Sequence, residues 1–87
     1  MTIQCTELFQ NQLKEILETY SKEDFSATKK FKLYLDTIIM NMPTKAKKYK
    51  QSIYFDDENI REIVHEEFRI PFLIDKERNN YLILAII

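Results

Sequence analysis

The chain has 87 residues, a formal net charge of −1, 45% hydrophobic and 31% charged residues, one cysteine and no glycine. That apolar share excludes a disordered chain, and the near-neutral charge weighs against a general nucleic-acid binder, which carries a strong positive excess. A single cysteine excludes an internal disulfide framework and a cysteine-based zinc site.

A domain of this length buries only roughly 60% of the surface its unfolded chain exposes. One domain over residues 1–87 is expected, with a core that a partner would reinforce by mass action. No basic stretch followed by an apolar one opens the chain, so no signal peptide is expected. The longest apolar run, residues 81–87, is far short of the roughly 20 residues of a membrane helix. Together with the lone cysteine this leads us to expect a cytoplasmic protein without membrane contact.

Ile3-Gln4-Cys5 alternates as a short strand. Thr6 is placed to cap the helix that follows, with Glu7 in its first turn. Phe9, Leu13, Ile16, Leu17 and Tyr20 recur at steps of three and four, the stripe of an amphipathic helix. Ser21-Lys22-Glu23-Asp24 breaks it and starts a second helix. Ala27, Phe31, Tyr34, Leu35, Ile38, Ile39 and Met42 form the second stripe, with Lys29, Lys30, Lys32 and Asp36 on the wet side. Pro43 ends this helix, because the residue before proline is pushed out of the helical region. The short link makes the pair an antiparallel helical hairpin.

Residues 44–50 form a basic connector. Ile53-Tyr54-Phe55 is short and apolar, and Asp56-Asp57-Glu58 reads as a turn. Residues 60–64 read as a strand. Phe68, Ile70, Phe72 and Ile74 alternate with Arg69, Pro71, Leu73 and Asp75, a strand with one apolar face. Residues 76–80 are a polar turn, and residues 81–87 read as a strand buried on both faces. Without glycine, turns needing positive φ fall to Asn79–Asn80 and Asp56–Asp57. The fold class is α+β in the order β-α-α-β-β-β, a helical hairpin packed on one face of a small, mainly antiparallel sheet. Pro71 interrupts the third of these strands, which must therefore lie at an edge there or carry a bulge.

The order and several stretches resemble the RelE/ParE superfamily of toxins. They are Asn59-Ile60-Arg61-Glu62-Ile63, then Phe68-Arg69-Ile70-Pro71-Phe72-Leu73-Ile74-Asp75, then Tyr81-Leu82-Ile83-Leu84-Ala85-Ile86. They are similar to the family's Arg-bearing strand, its aromatic–Arg–aliphatic strand ending in an acidic turn, and its final apolar strand. Residues 9–17 are similar to its first helix, and the basic segment before Tyr54 stands where the family often has proline and basic residues. The resemblance covers nearly the whole chain and implies the toxic half of a bacterial type II toxin–antitoxin pair, a growth inhibitor of the plasmid-stabilisation kind. A cognate antitoxin, held in a toxin–antitoxin hetero-oligomer, would neutralise it. No cofactor and no metal are implied.

Two mechanisms follow from the resemblance. In the ParE-like one the toxin binds DNA gyrase and performs no chemistry. In the RelE-like one it cuts mRNA on the ribosome, with an Arg matching Arg69 on the scissile phosphate to stabilise developing charge. Arg61 and His65 are the other candidates, His65 as a general base near neutrality. The plain readings are an Arg69 paired with Glu62, Glu66 or Glu67 and a surface histidine. The near-neutral charge, the absence of an acid/base pair, and the lack of the basic and aromatic residues that mRNA-cutting members carry beyond the position of Ile87 favour the ParE-like reading. An inactive member kept as a binding module is a third. Lys45, Lys47, Lys48 and Lys50, interleaved with Tyr49, are suited to phosphates and a stacked base, to a partner's acidic segment, or to solvent alone. Cys5 reads as a small core residue.

Overall fold

The computed structural model describes residues 2–87. Strand β1 (Thr2–Cys5) runs through Thr6 into helix α1 (Glu7–Ser21). Thr6 is extended, and its Oγ1 accepts from Phe9 N at 3.0 Å while donating to Leu84 O at 2.7 Å. One side chain therefore satisfies an orphan donor of the helix and ties its start to the C-terminal segment. Asp24 repeats the capping for helix α2 (Phe25–Asn41), accepting from Ala27 N at 3.0 Å. Helix α2 ends at Asn41, before Pro43, but not for the reason expected: Met42, the residue before the proline, keeps helical angles (φ −57°, ψ −41°), and the chain continues through Met42–Lys48 as 3-10 turns kinked at Lys45.

Strands β2 (Ile60–His65), β3 (Phe68–Asp75) and β4 (Asn80–Ile83) form antiparallel pairs, and β1 joins β4 in parallel, giving the sheet order β1-β4-β3-β2. Connectivity permits the parallel pair: α1, α2 and two strands separate β1 from β4, ample for the crossover that parallel strands need. Phe68, Ile70, Phe72 and Ile74 turn toward the helices, as their alternation requires, and meet Phe9, Leu13, Ile16, Phe31, Leu35, Ile38 and Met42 in one cluster. Leu35, Met42, Ile70, Phe72 and Ile83 are completely buried, each stabilising by about 1.5–3 kcal/mol relative to an exposed side chain.

Four further details differ from the sequence expectation. The second helical stripe is rotated: Thr28 is buried, whereas Ala27 and Tyr34 face solvent. The final strand is regular only to Ile83; beyond it the chain still runs beside β3, but Phe72 faces Ile83 while Arg69 exchanges both backbone bonds with Ile87. Three steps on β3 thus match four on the last segment, which is a β-bulge. Pro71 is not on an edge strand. It sits mid-sheet, and its carbonyl accepts from Leu84 N at 2.9 Å, so its missing donor faces the bulged segment, where the ladder is already interrupted. Finally, positive φ occurs at Asn79 (51°), as expected, and at Glu66 (54°), which was not, while Asp57 instead makes a side-chain turn to Asn59 N.

Candidate functional site

The sheet face turned away from the helices carries one half-buried ion pair, with the carboxylate buried and the guanidinium partly exposed. Strand alternation sends Arg61, Ile63 and His65 toward the helices and Glu62 and Val64 to the other face. The β2–β3 register sets Val64 opposite Arg69, so Arg69 lies diagonally from Glu62 on that face. Arg69 Nη1 donates to Glu62 Oε1 at 2.6 Å, and Ser52 Oγ donates to Oε2 at 2.9 Å. The Glu62 side chain is 3% exposed and that of Arg69 is 43% exposed. Both carboxylate oxygens are engaged. Ser52 Oγ also accepts from Tyr54 N, so the pair anchors the segment leading into β2.

The other two candidates for chemistry lie elsewhere. Arg61 Nη1 donates to Tyr49 O at 2.9 Å on the helix side of the sheet, and its buried Nε has no partner among the described residues. His65 is not a surface histidine. It is 8% exposed, its ring centroid lies 5.0 Å from that of Phe31, and its buried Nε2 is unpartnered among the described residues. The structure brings Arg69 together with Glu62, and puts Arg61 and His65 on the opposite face.

The basic connector divides in two. The Tyr49 ring meets Phe72 edge-on at 5.6 Å, and burial pushes its phenol pKa up. It packs at the core margin and is not free to stack on a base. Lys45 Nζ sits 5.8 Å over that ring, while Lys47, Lys48 and Lys50 are exposed. Cys5 packs against the core, and burial, with Asp36 nearby, raises its thiol pKa. Among the described residues no three His, Cys, Asp or Glu side chains gather to hold a metal ion. No helix among them is long and apolar enough to cross a membrane.

Reading the chain did not reveal a groove on the helical hairpin. Between α1 and α2 lies an open groove of about 800 Å³, floored by Leu17, Phe25 and Leu33, with Lys29, Lys30 and Lys32 at its sides beside Glu18 and Asp36, the last paired with Lys32 at 2.7 Å. Phe25 and Leu33 are 66% and 63% exposed, and Met40 continues their row at 74%. The signal was present in the sequence as a second apolar row, Phe25, Leu33 and Met40, at steps of eight and seven (about two helical turns each) along α2, offset from the core stripe. Stacked against a strongly apolar first stripe, such a row reads as scatter.

The model of one protein family, the ParE toxin of type II toxin–antitoxin system, parDE, matches residues 3–87. This chain belongs to the ParE toxin family. Among solved structures, a chain of the chromosomal ParDE toxin–antitoxin system from P. aeruginosa superposes with a TM-score of 0.68 at 16% identity, covering 99% of this chain and 92% of that one. At that identity the likeness speaks for the fold, and the ParE toxin described here has the α+β fold of that system's chain. No curated protein matches it by sequence. The family match agrees with the resemblance carried by residues 59–63, 68–75 and 81–86, and this ParE toxin is accordingly a component of a type II toxin–antitoxin system.

Proposed function

We propose that this toxin acts by binding DNA gyrase, without chemistry of its own, and that its antitoxin silences it by laying an apolar, acidic segment along the helical hairpin. The observation that carries the first half is the pairing of Arg69 with Glu62. A guanidinium that donates Nη1 to a buried carboxylate is a poor phosphate clamp, because withdrawing it would leave the carboxylate buried and uncompensated. Arg61 and His65 on the far face add nothing to it. A nuclease needs its base and its phosphate-binding cation within hydrogen-bond reach of one substrate.

The second half rests on the groove. Its floor offers apolar contact, and Lys29 and Lys30, with Lys45, Lys47, Lys48 and Lys50 further along the chain, suit a partner's carboxylates. Helix-in-groove docking is the general mode for such a surface.

The test is a pair of assays on the purified toxin. Inhibition of supercoiling by gyrase is expected, with a reporter message left intact in a bacterial translation extract. Folded Arg69→Ala is expected to inhibit gyrase like the wild type. New message cuts that vanish in Arg69→Ala would overturn the proposal in favour of ribosome-dependent mRNA cleavage. For the antitoxin, Phe25→Ala with Leu33→Ala is expected to weaken binding at least tenfold, about 1.4 kcal/mol or more. Unchanged affinity would remove the groove as the docking site.

A further inference from the structure

A second groove, of about 640 Å³, lies on the other flank of α2, between the helical hairpin and the β2–β3 turn. It shares Thr28 and Lys30 with the first, but its charge balance is acidic. Tyr20, Phe31, Tyr34 and Phe68 supply aromatic rings, and Glu23, Asp24, Glu66 and Glu67 supply carboxylates, with Lys30 the one cation at its margin. Four carboxylates against one lysine leave a local excess of three negative charges. None of the four pairs with a cation within 4.0 Å among the described residues; the ion pairs there are Lys32–Asp36, Arg69–Glu62 and Arg78–Asp75.

The groove is built and held. Phe31 stands 5.7 Å from Phe68 edge-on and 5.0 Å from the buried His65, and Tyr20 lies 6.1 Å from Phe68. Tyr20 Oη donates to Glu67 Oε1 at 2.7 Å, which fixes one carboxylate against the end of α1 and leaves its other oxygen open. Tyr34 is 57% exposed, so one ring face is available. Like charges held around apolar rings raise each other's energy, and a guanidinium relieves that repulsion while its plane stacks on the rings.

We infer that this groove is a second binding site, for an arginine- or lysine-bearing segment of a protein partner, distinct from the lysine-flanked groove on the opposite flank of α2. It extends the reading of this toxin as a binding protein by naming the chemistry of a second contact. Charge complementarity selects the occupant: an acidic segment would meet a net excess of three negative charges, and a purely apolar one would bury carboxylates that pair with no cation.

The probe is a capped five-residue peptide of two arginines alternating with glycines, with citrulline in place of arginine as its neutral isostere. It is titrated into the ¹⁵N-labelled toxin and followed by amide shifts. Saturable shifts confined to residues 20–34 and 65–68 are expected. They should weaken with added salt, be absent with the citrulline peptide, and fall about fivefold or more in affinity in Glu66→Gln/Glu67→Gln. Tyr34→Ala, which breaks no side-chain hydrogen bond among the described residues, should weaken binding without disturbing the spectrum elsewhere. Shifts centred on the acidic stretch Asp56-Asp57-Glu58, equal binding of the citrulline peptide, or unchanged affinity in both variants would each overturn the inference. The titration reads the groove itself, so it stands or falls apart from whether gyrase is inhibited.

Discussion

Replacing Arg69 by alanine is the sharpest test of how the Glu62 pair is held. The Glu62 side chain is 3% exposed, so on loss of Arg69 it keeps only the Ser52 hydroxyl as a side-chain donor. Breaking a fully buried pair from one side costs roughly 3–5 kcal/mol. Arg69 is 43% exposed, so solvent already screens part of the attraction, and water can enter the space it vacates. We expect Arg69→Ala to lose about 2–3 kcal/mol, or about 10–15 °C in Tm for a domain of this size. Glu62→Gln should cost less, about 1 kcal/mol, because the half-exposed guanidinium it releases is hydrated. Adding Glu62→Gln to Arg69→Ala should recover part of the loss, since no uncompensated charge then remains. Urea unfolding of the four proteins of this cycle gives the coupling directly. If Arg69→Ala falls within about 0.5 kcal/mol of the wild type, or if Glu62→Gln is the more damaging change, the pair is not the half-buried strut described here.

Glu66 occupies φ 54° at the β2–β3 turn, where a side chain costs roughly 1 kcal/mol that glycine avoids. Glu66→Gly should therefore raise the urea midpoint, and a lowered midpoint would show that the side chain stabilises more than its backbone conformation costs. Thr6→Ala removes both the α1 cap and the bond to Leu84 O. A loss of about 1–2 kcal/mol is expected in thermal unfolding, and no change would mean water replaces both. Cys5, Tyr20 and Tyr49 all have raised pKa values, from burial in Cys5 and Tyr49 and from the Glu67 hydrogen bond in Tyr20. Each favours its protonated form in the folded state, so its contribution is complete below the unfolded pKa and is lost as pH rises through the folded one. Stability should be flat near neutrality and fall above the ordinary thiol and phenol range, from about pH 9 upward. A plateau through pH 11 in chemical denaturation would contradict this.

Much of the architecture was legible in the chain. Thr6, Asp24 and Pro43 bound the helices by local chemistry, because a cap or a missing donor acts within one turn. The alternation of Phe68, Ile70, Phe72 and Ile74 set the buried face of β3 because successive strand residues point to opposite sides. The family resemblance lay in the same stretches. The structure alone decided matters that depend on which strand lies beside which. Pro71 left an edge position and a bulge both open, and only the sheet order and the segment facing Pro71 show that it is the bulge, carried by that segment. Arg69 meets Glu62 rather than Glu66 or Glu67 because the β2–β3 register places them diagonally on one face, while His65 and Arg61 take the other. The two grooves flanking α2, one bordered by lysines and one by carboxylates, are assembled from α1, α2 and, for the second, the β2–β3 turn. Local propensity acts over a few residues and is written along the chain; register and the juxtaposition of distant side chains are set only when the sheet closes against the helices.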